Sequence, residues 1–562
     1  MFIKKIFSSR HISLILLCNV IASCGDGSEG QNTSTQQSPL PGLTSLVVNG
    51  IQLDQVFQST QLNYTARATY LEDFLELSAS PTDTDSRLLI NGVEVASGGA
   101  NLIKLNEGLN TIVMSVQSSD GTKNYTLDIT RDSATSFTQR EFLTASNIGD
   151  NDRFGTSIAI TGNYMVVGAN GEGANGSASS DNSLIGAGAV YVYALENGIW
   201  SEVQYLKASN PGERDNFGAS VAIHGDTIVV GAPGEASDGS SQSNDDFLGA
   251  GAVYVFRLTN GSWIQEQYLK ASSPDASDKF GASVAIFEDT ILIGASDEDS
   301  DGSSSTNNAS RDTGAAYIFE RNNDTWSQVQ YLKPSNIGLG APRFGSSVSI
   351  YGSLCAISAR LENSGSSGGV NLDVPHSGAV YVFSKINGNW VEEQLIKASN
   401  LDESDAFGDV VSIWGNNLAV SATNEDGDGS NEMDNSETTA GAVYVFTRTN
   451  TGVWVQEQYI KASDAKSGDL FGISMALENN WLAVGAWNHG TESTPTTPEN
   501  TGSVYLFEKV ENQWLQRKRI SADIPEYFGL FGSSVDIDIE NGNLAVGEKR
   551  RGNDSGSAYI IR

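Results

Sequence analysis

From Leu43 to about Arg131 the chain runs in short stretches of alternating apolar and polar residues, such as Thr111-Ile112-Val113-Met114 and Tyr125-Thr126-Leu127-Asp128-Ile129. Asn91-Gly92, Glu107-Gly108 and Asp120-Gly121 separate them. Period-two alternation marks strands with one buried face, and the Gly-containing pairs favour tight turns with positive φ, so a small β-sandwich is predicted. Past residue 136 a longer pattern takes over. A Phe-Gly pair, then small residues and an alternating apolar stretch, begins at Phe154, Phe217, Phe280, Phe344, Phe407, Phe471 and Phe531, at intervals of 63, 63, 64, 63, 64 and 60 residues. Each interval is also read as holding an apolar run ending in Gly-Ala, as in Val229-Val230-Gly231-Ala232-Pro233, and an aromatic run, as in Gly251 to Phe256. A further segment runs from Trp263 to Ala271 and its counterparts. Four short strands per period, repeated radially, predict an all-β chain: a seven-bladed β-propeller preceded by a small β-sandwich.

Two features predict a closed ring. The element Tyr205-Leu206-Lys207-Ala208-Ser209 has a counterpart before the first Phe-Gly, Phe142-Leu143-Thr144-Ala145-Ser146, whereas the chain ends on a third-strand element, Gly556-Ser557-Ala558-Tyr559-Ile560. The early strand is expected to complete the last blade, which removes both exposed sheet edges. Thr156-Ser157, Ala219-Ser220, Ala282-Ser283 and Ser346-Ser347 supply the small side chains a crowded centre needs. Trp200, Trp263, Trp326, Trp390, Trp454 and Trp514 supply bulk where blades diverge. Phe-Gly together with Val230-Gly231-Ala232-Pro233 resembles the FG-GAP repeats of the integrin α-chain propeller and its bacterial relatives, which implies a binding or adhesion role. The segment with Phe57, Leu62-Asn63-Tyr64-Thr65, Ile90-Asn91-Gly92 and Gly108-Leu109-Asn110 resembles the bacterial cadherin-like β-sandwich domain.

Met1-Phe2-Ile3-Lys4-Lys5 and the apolar residues up to Ala22 have the zones of a secretory signal, too short to span a membrane as a finished helix. Ile21-Ala22-Ser23-Cys24 resembles the lipobox of bacterial lipoproteins, which implies cleavage before Cys24 and its lipidation. Gly25 after the cysteine implies sorting to the outer membrane, facing the periplasm or the cell surface; plain cleavage near Ser23 is the alternative. The expected organisation is a signal peptide over 1–23, a flexible Gly/Ser/Pro-rich tether over 24–42, the sandwich over 43–135 and the propeller over 136–562. Of the cysteines only Cys355 stays in the body of the mature chain, as a buried small hydrophobe in Leu354-Cys355-Ala356-Ile357.

A net charge of -35 argues against nucleic acid, which needs clustered Lys and Arg, and leaves the lipid anchor as the only membrane contact. The acidic residues concentrate between the second and third strands of each period. Asp297, Asp299 and Asp301, followed by Gly302, place carboxylates at every second position. Asn424, Asp426, Asp428 and Glu432 stand at positions 1, 3, 5 and 9 of a loop. Such spacing wraps oxygen ligands around Ca²⁺, with solvated loops as the alternative reading. In integrin-type propellers the calcium loops lie between the first two strands instead, so these sites rest on spacing alone. Asp152, Asp215, Asp278, Asp405 and Asp469, each two residues before a Phe-Gly, are expected to bind backbone amides in the turns between blades rather than to form an acidic ring. His224, His376 and His489 fall in no catalytic motif, and no phosphate loop or nucleophile elbow appears. The sequence therefore points to a monomeric, non-enzymatic module that binds a protein or glycan through an acidic loop face. A carbohydrate-active enzyme using loop carboxylates and a periplasmic assembly scaffold are the alternatives.

Overall fold

The computed structural model describes residues 41–175, 182–242, 244–302, 307–308, 310–336, 341–365, 374–490 and 500–562. The signal peptide, Cys24 and nearly all of the tether lie outside them. The first body is a two-sheet sandwich. One sheet orders Leu43–Asn49, Phe74–Pro81 and Asn101–Lys104. The other orders Asn63–Ala68, Gly121–Arg131, Gly108–Ser118, Arg87–Ile90 and Val93–Val95. Alternation does what the pattern requires: Leu75 and Leu77 from one sheet meet Ile112, Met114, Tyr125 and Leu127 from the other, all buried. Asn91 and Gly92 both take positive φ, 49° and 81°, in the turn their sequence predicts.

Among the described residues, seven four-stranded antiparallel sheets follow. The first orders Phe154–Thr161, Tyr164–Ala169, Ala189–Glu196 and Ile199–Leu206. The seventh orders Phe531–Asp538, Asn543–Glu548 and Ser557–Ile561, and takes Gln139–Leu143 as its fourth strand, with Ala558 opposite Leu143 and Tyr559 opposite Phe142. The Phe-Gly pair begins the strand in four repeats. In the other three it stands just before strands that start at Ser220, Val411 and Ser474. A bulge between Phe154 and Ser157 shows the cause: the ladder is irregular at this point, and small differences move its edge.

The repeated motif has a physical basis in how neighbouring sheets touch. The Ser157 hydroxyl donates to the Gly218 carbonyl at 2.8 Å, Ser220 to Gly281 at 2.9 Å, Ser283 to Gly345 at 2.9 Å and Ser474 to Gly532 at 2.8 Å. Ser534 makes the same bond to Gly155, 2.9 Å, from the seventh sheet to the first. A Cβ on Gly168, Gly231, Gly294, Gly485 or Gly547 would lie only 2.0–2.2 Å from those same carbonyls, so the Gly near the end of each of these second strands, followed by Ala in four and by Glu548 in the seventh, is fixed by close approach. Ser358 and Ser421 occupy that place in the fourth and fifth repeats, where their hydroxyls accept the Ser347 and Val410 amides instead, each at 2.9 Å. Each Phe of Phe-Gly packs edge-on against the third-strand Tyr, with ring centroids 5.1–5.6 Å apart.

The sandwich is docked, not merely tethered. Trp481, fully buried, donates its indole N–H to the Leu71 carbonyl at 2.9 Å, and Tyr70 lies 5.3 Å from that ring and 5.5 Å from Phe137. Arg131 holds the docking loop by donating to the Tyr70 and Leu105 carbonyls, at 3.0 and 2.9 Å. Trp481 lies just past the turn between the first two strands of its sheet. Antiparallel order puts those turns at one end of every sheet and the long loops between second and third strands at the other. The sandwich therefore covers one end and leaves the loop end free.

Candidate binding face

The loop end is built from the root outward. In the second repeat Glu235, two residues beyond Pro233, is buried and meets Lys270, the residue just past the fourth strand Ser262–Leu269, at 2.7 Å. Its carboxylate also accepts from Tyr268 at 3.0 Å, from Asn210 at 3.1 Å and from the Ser237 amide at 3.2 Å. The Lys270 ammonium reaches the Gly251 carbonyl at 2.6 Å, so one ion pair ties both ends of the loop to the sheet. Lys207 with Glu172 (2.9 Å), Lys333 with Glu298 (2.5 Å) and Lys397 with Glu362 (2.6 Å) repeat the arrangement. Burial lowers the pKa of each of these lysines. The sequence reading missed the pair. The Lys of each Tyr-Leu-Lys-Ala-Ser element was visible, and its Glu partner recurs three residues after the Ala that ends the second strand.

The fifth repeat departs from this. Lys461 donates to the Glu425 and Asp426 carbonyls, at 3.1 and 2.7 Å, and burial pushes its pKa down to about 8. Burial, reinforced by the Glu425 carboxyl beside it, pushes Asp405 up to about 8. In the sixth repeat His489, buried, takes the place of the Glu and bonds Asp469 through Nδ1 at 2.8 Å. His376 is in an exposed loop, whereas His224 is half-buried against Phe287 and burial lowers its pKa.

The turns between sheets carry the aspartates that precede five of the seven Phe-Gly pairs, with Pro342 and Gly529 in that place in the fourth and seventh. Asp152, Asp215, Asp278, Asp405 and Asp469 each accept the backbone amide three residues earlier, at 2.6–3.0 Å. All five are buried, and burial raises Asp152 and Asp215 to about 6 and Asp278 to about 8.

The residues singled out for calcium sit on this face but are not gathered around one point. Asp297 pairs with Lys279 at 2.5 Å and faces Arg343 at 3.7 Å. Asp299 accepts the Asp312 amide at 2.7 Å, and Asp301 accepts from Asn307 at 2.8 Å. Asn424 donates to the Ser404 carbonyl at 3.0 Å, and Asp426 accepts the Thr439 amide at 2.7 Å. Asp428 accepts the Ser430 amide and Glu432 the Ser399 hydroxyl, both at 2.7 Å. Among the described residues no group of three or more His, Cys, Asp or Glu side chains stands ready to hold a metal ion.

The first strands enclose a central cavity of about 490 Å³ lined by residues of all seven sheets, including Val221, Val284, Val411, Glu478 and Asp536. Cys355 is fully buried in the second strand of the fourth sheet, Leu354–Ala359, and burial raises its thiol pKa. A family model described as FG-GAP repeat matches residues 137–193, 200–256, 263–319, 390–446 and 454–507, half of the chain together. A second, described as Cadherin-like beta sandwich domain, matches residues 43–132. No curated protein matches the chain.

Proposed function

The chain belongs to the FG-GAP repeat family and carries a cadherin-like β-sandwich domain at its N-terminal side, and from this premise we propose that it is a closed seven-bladed propeller used as a cell-envelope binding module. Closure is supported by the Ser534 to Gly155 bond, which repeats between the last sheet and the first the contact made between consecutive sheets. The observation that carries the functional reading is the docking of the sandwich at the turn end through Trp481 and Leu71. A tether leaving the sandwich then turns the loop face away from its anchor, toward a protein or glycan partner. The sheet-to-loop ion pairs let these loops differ in sequence without loosening the scaffold. Both domain types are typically non-catalytic, which favours binding over hydrolysis by loop carboxylates.

Lipidation at Cys24 and an outer-membrane location belong to the same proposal, with the acylated cysteine and tether as the anchor. Metabolic labelling with a fatty acid should mark the chain and leave Cys24→Ser unlabelled. Calcium would be taken by the loops of Asp297 and Asn424, whose carboxylates would exchange their amide bonds for the ion. The deciding experiment is partner capture by residues 43–562 from cell-surface extracts and on a glycan array. Replacing the outer loop segments 238–248 and 428–438 with short turns, which leaves the buried Glu235 and Glu425 in place, should abolish capture, and deletion of the sandwich should not. Capture that depends on the sandwich instead would overturn the reading.

A further inference from the structure

The chain has 68 acidic residues against 33 Lys and Arg, yet one pocket on the loop face is cationic. It has a volume of about 430 Å³, lies where the seventh sheet meets the first, and is lined by Arg153, Lys549 and Arg550 with Trp487 and Leu530. Asp554 is the acid lining it among the described residues, and it is already bonded to Arg550 at 3.1 Å. Lys549 and Arg153 have no carboxylate partner among the described residues. The ammonium of Lys549 lies instead 4.0 Å from the centre of the Trp487 ring. Burial, together with Arg153 and Arg550 nearby, pushes its pKa down to about 8.

The other repeats provide an internal comparison. Arg343, which precedes the fourth Phe-Gly as Arg153 precedes the first, faces Asp297 at 3.7 Å. Arg550 stands where Asp297 stands, two residues beyond the end of the second strand. Arg360, the counterpart of Lys549, pairs with Asp409 at 3.2 Å, and Thr156 takes the place of Asp409. At this junction the position that holds Asp297 in the third repeat carries a cation and the position that holds Asp409 in the fifth carries a hydroxyl, so neither of the two carboxylates that face these cations elsewhere is present. A solvated surface would leave such cations apart. Here they line one concavity with an apolar wall and the neutral hydrogen-bonding groups of Thr156 and Asn170.

We propose that this pocket is a binding site for an acidic sugar, with Arg153, Lys549 and Arg550 taking its carboxylate and the Trp487 and Leu530 wall taking the apolar face of its ring. Cations in a fork around a carboxylate give strong charge-assisted hydrogen bonds, and a pocket of this size buries a ligand of one or two sugar rings. The site lies on the face used by the binding module, so it rests on that reading and names the ligand class for one part of the face.

The test is calorimetric titration of residues 43–562 with a galacturonic acid trimer, a neutral galactose trimer and a triglutamate peptide. The acidic trimer should bind at least about tenfold tighter than either of the others, weaken with added salt, and lose at least about tenfold in affinity in Lys549→Gln and in Arg153→Gln. Lys279→Gln, at a neutralised counterpart, should leave it unchanged. Absence of heat with the acidic trimer overturns the proposal, as does equal binding of the neutral trimer or tighter binding of the peptide. Loss of sugar binding with loop-dependent partner capture intact removes this inference alone; loss of loop-dependent capture removes the wider reading.

Discussion

Cutting the ion pair between Glu235 and Lys270 is the sharpest test of how the loop face is held. Both side chains are buried, with 3% and 8% of their surface exposed, and they touch at 2.7 Å. Glu235→Gln keeps the shape of the side chain but leaves an ammonium in a site whose desolvation is no longer matched by a negative charge. Breaking such a pair from one side costs about 3–5 kcal/mol, whereas replacing both partners by neutral groups of similar volume is near neutral. Lys270→Met should fall at the lower end, because Tyr268, Asn210 and the Ser237 amide still donate to the carboxylate. The double variant Glu235→Gln with Lys270→Met should recover to within about 1 kcal/mol of the parent. At about 2.1 cal/mol/K of unfolding entropy per residue, a cooperative unit spanning 137–562 should lose roughly 3–6 °C of melting midpoint in Glu235→Gln. Calorimetric melting gives the double-mutant cycle, and limited proteolysis of the loop after Glu235 gives the local effect. Single variants within about 1 kcal/mol of the parent, or a double variant whose loss is the sum of the two, would refute the reasoning.

Trp481→Ala should release the sandwich from the repeat sheets, at a cost of about 3–5 kcal/mol for the lost aromatic volume, and raise the radius of gyration in X-ray scattering. Trp481→Phe, which loses the bond to Leu71 and keeps most of the packing, should cost only about 1 kcal/mol. At the same junction burial pushes Glu72 up to about 7, and Asp73 and Asp538 up to about 6. These groups hold protons more tightly when folded than when unfolded, so their stabilising share is complete below the ordinary carboxylate range and is lost as pH rises through about 6–7. Melting curves between pH 5 and 8 should show this decline, and Glu72→Gln should flatten it. Removing residues 136–146 takes the fourth strand from the last sheet; the exposed edge at Ser557–Ile561 should cause aggregation on size-exclusion chromatography. Millimolar Ca²⁺ should raise the melting midpoint, Asp426→Asn with Asp428→Asn should abolish the rise, and no rise in the parent would remove the calcium proposal.

Much of this was legible along the chain. The Phe-Gly period located every sheet, and the mismatch between an early fourth-strand element and an unfinished end foretold the pairing of Ser557–Ile561 with Gln139–Leu143. The aspartates before five of the Phe-Gly pairs could be read as turn acceptors, since a short acidic side chain beside a Gly-containing turn has backbone amides as its nearest donors. Less legible was the calcium face: spacing along a loop does not say which way each carboxylate points. Asp299 and Asp426 each bond an amide 13 residues on, and Asp297 the Lys279 ammonium from the turn before the Phe280 strand.

Sequence alone determined what recurs: local alternation, the small residues at points of close approach, and the number of repeats, because these are set by backbone geometry within one period. Tertiary structure decided what depends on residues far apart in the chain. The docking of Trp481 on Leu71 spans 410 positions, and that contact selects which end of the sheets is free. The meeting of Arg153 with Lys549 and Arg550 likewise arises only where the last sheet lies beside the first. Charge and shape at such junctions follow from which surfaces the packing of the sheets brings together, and no periodicity encodes them.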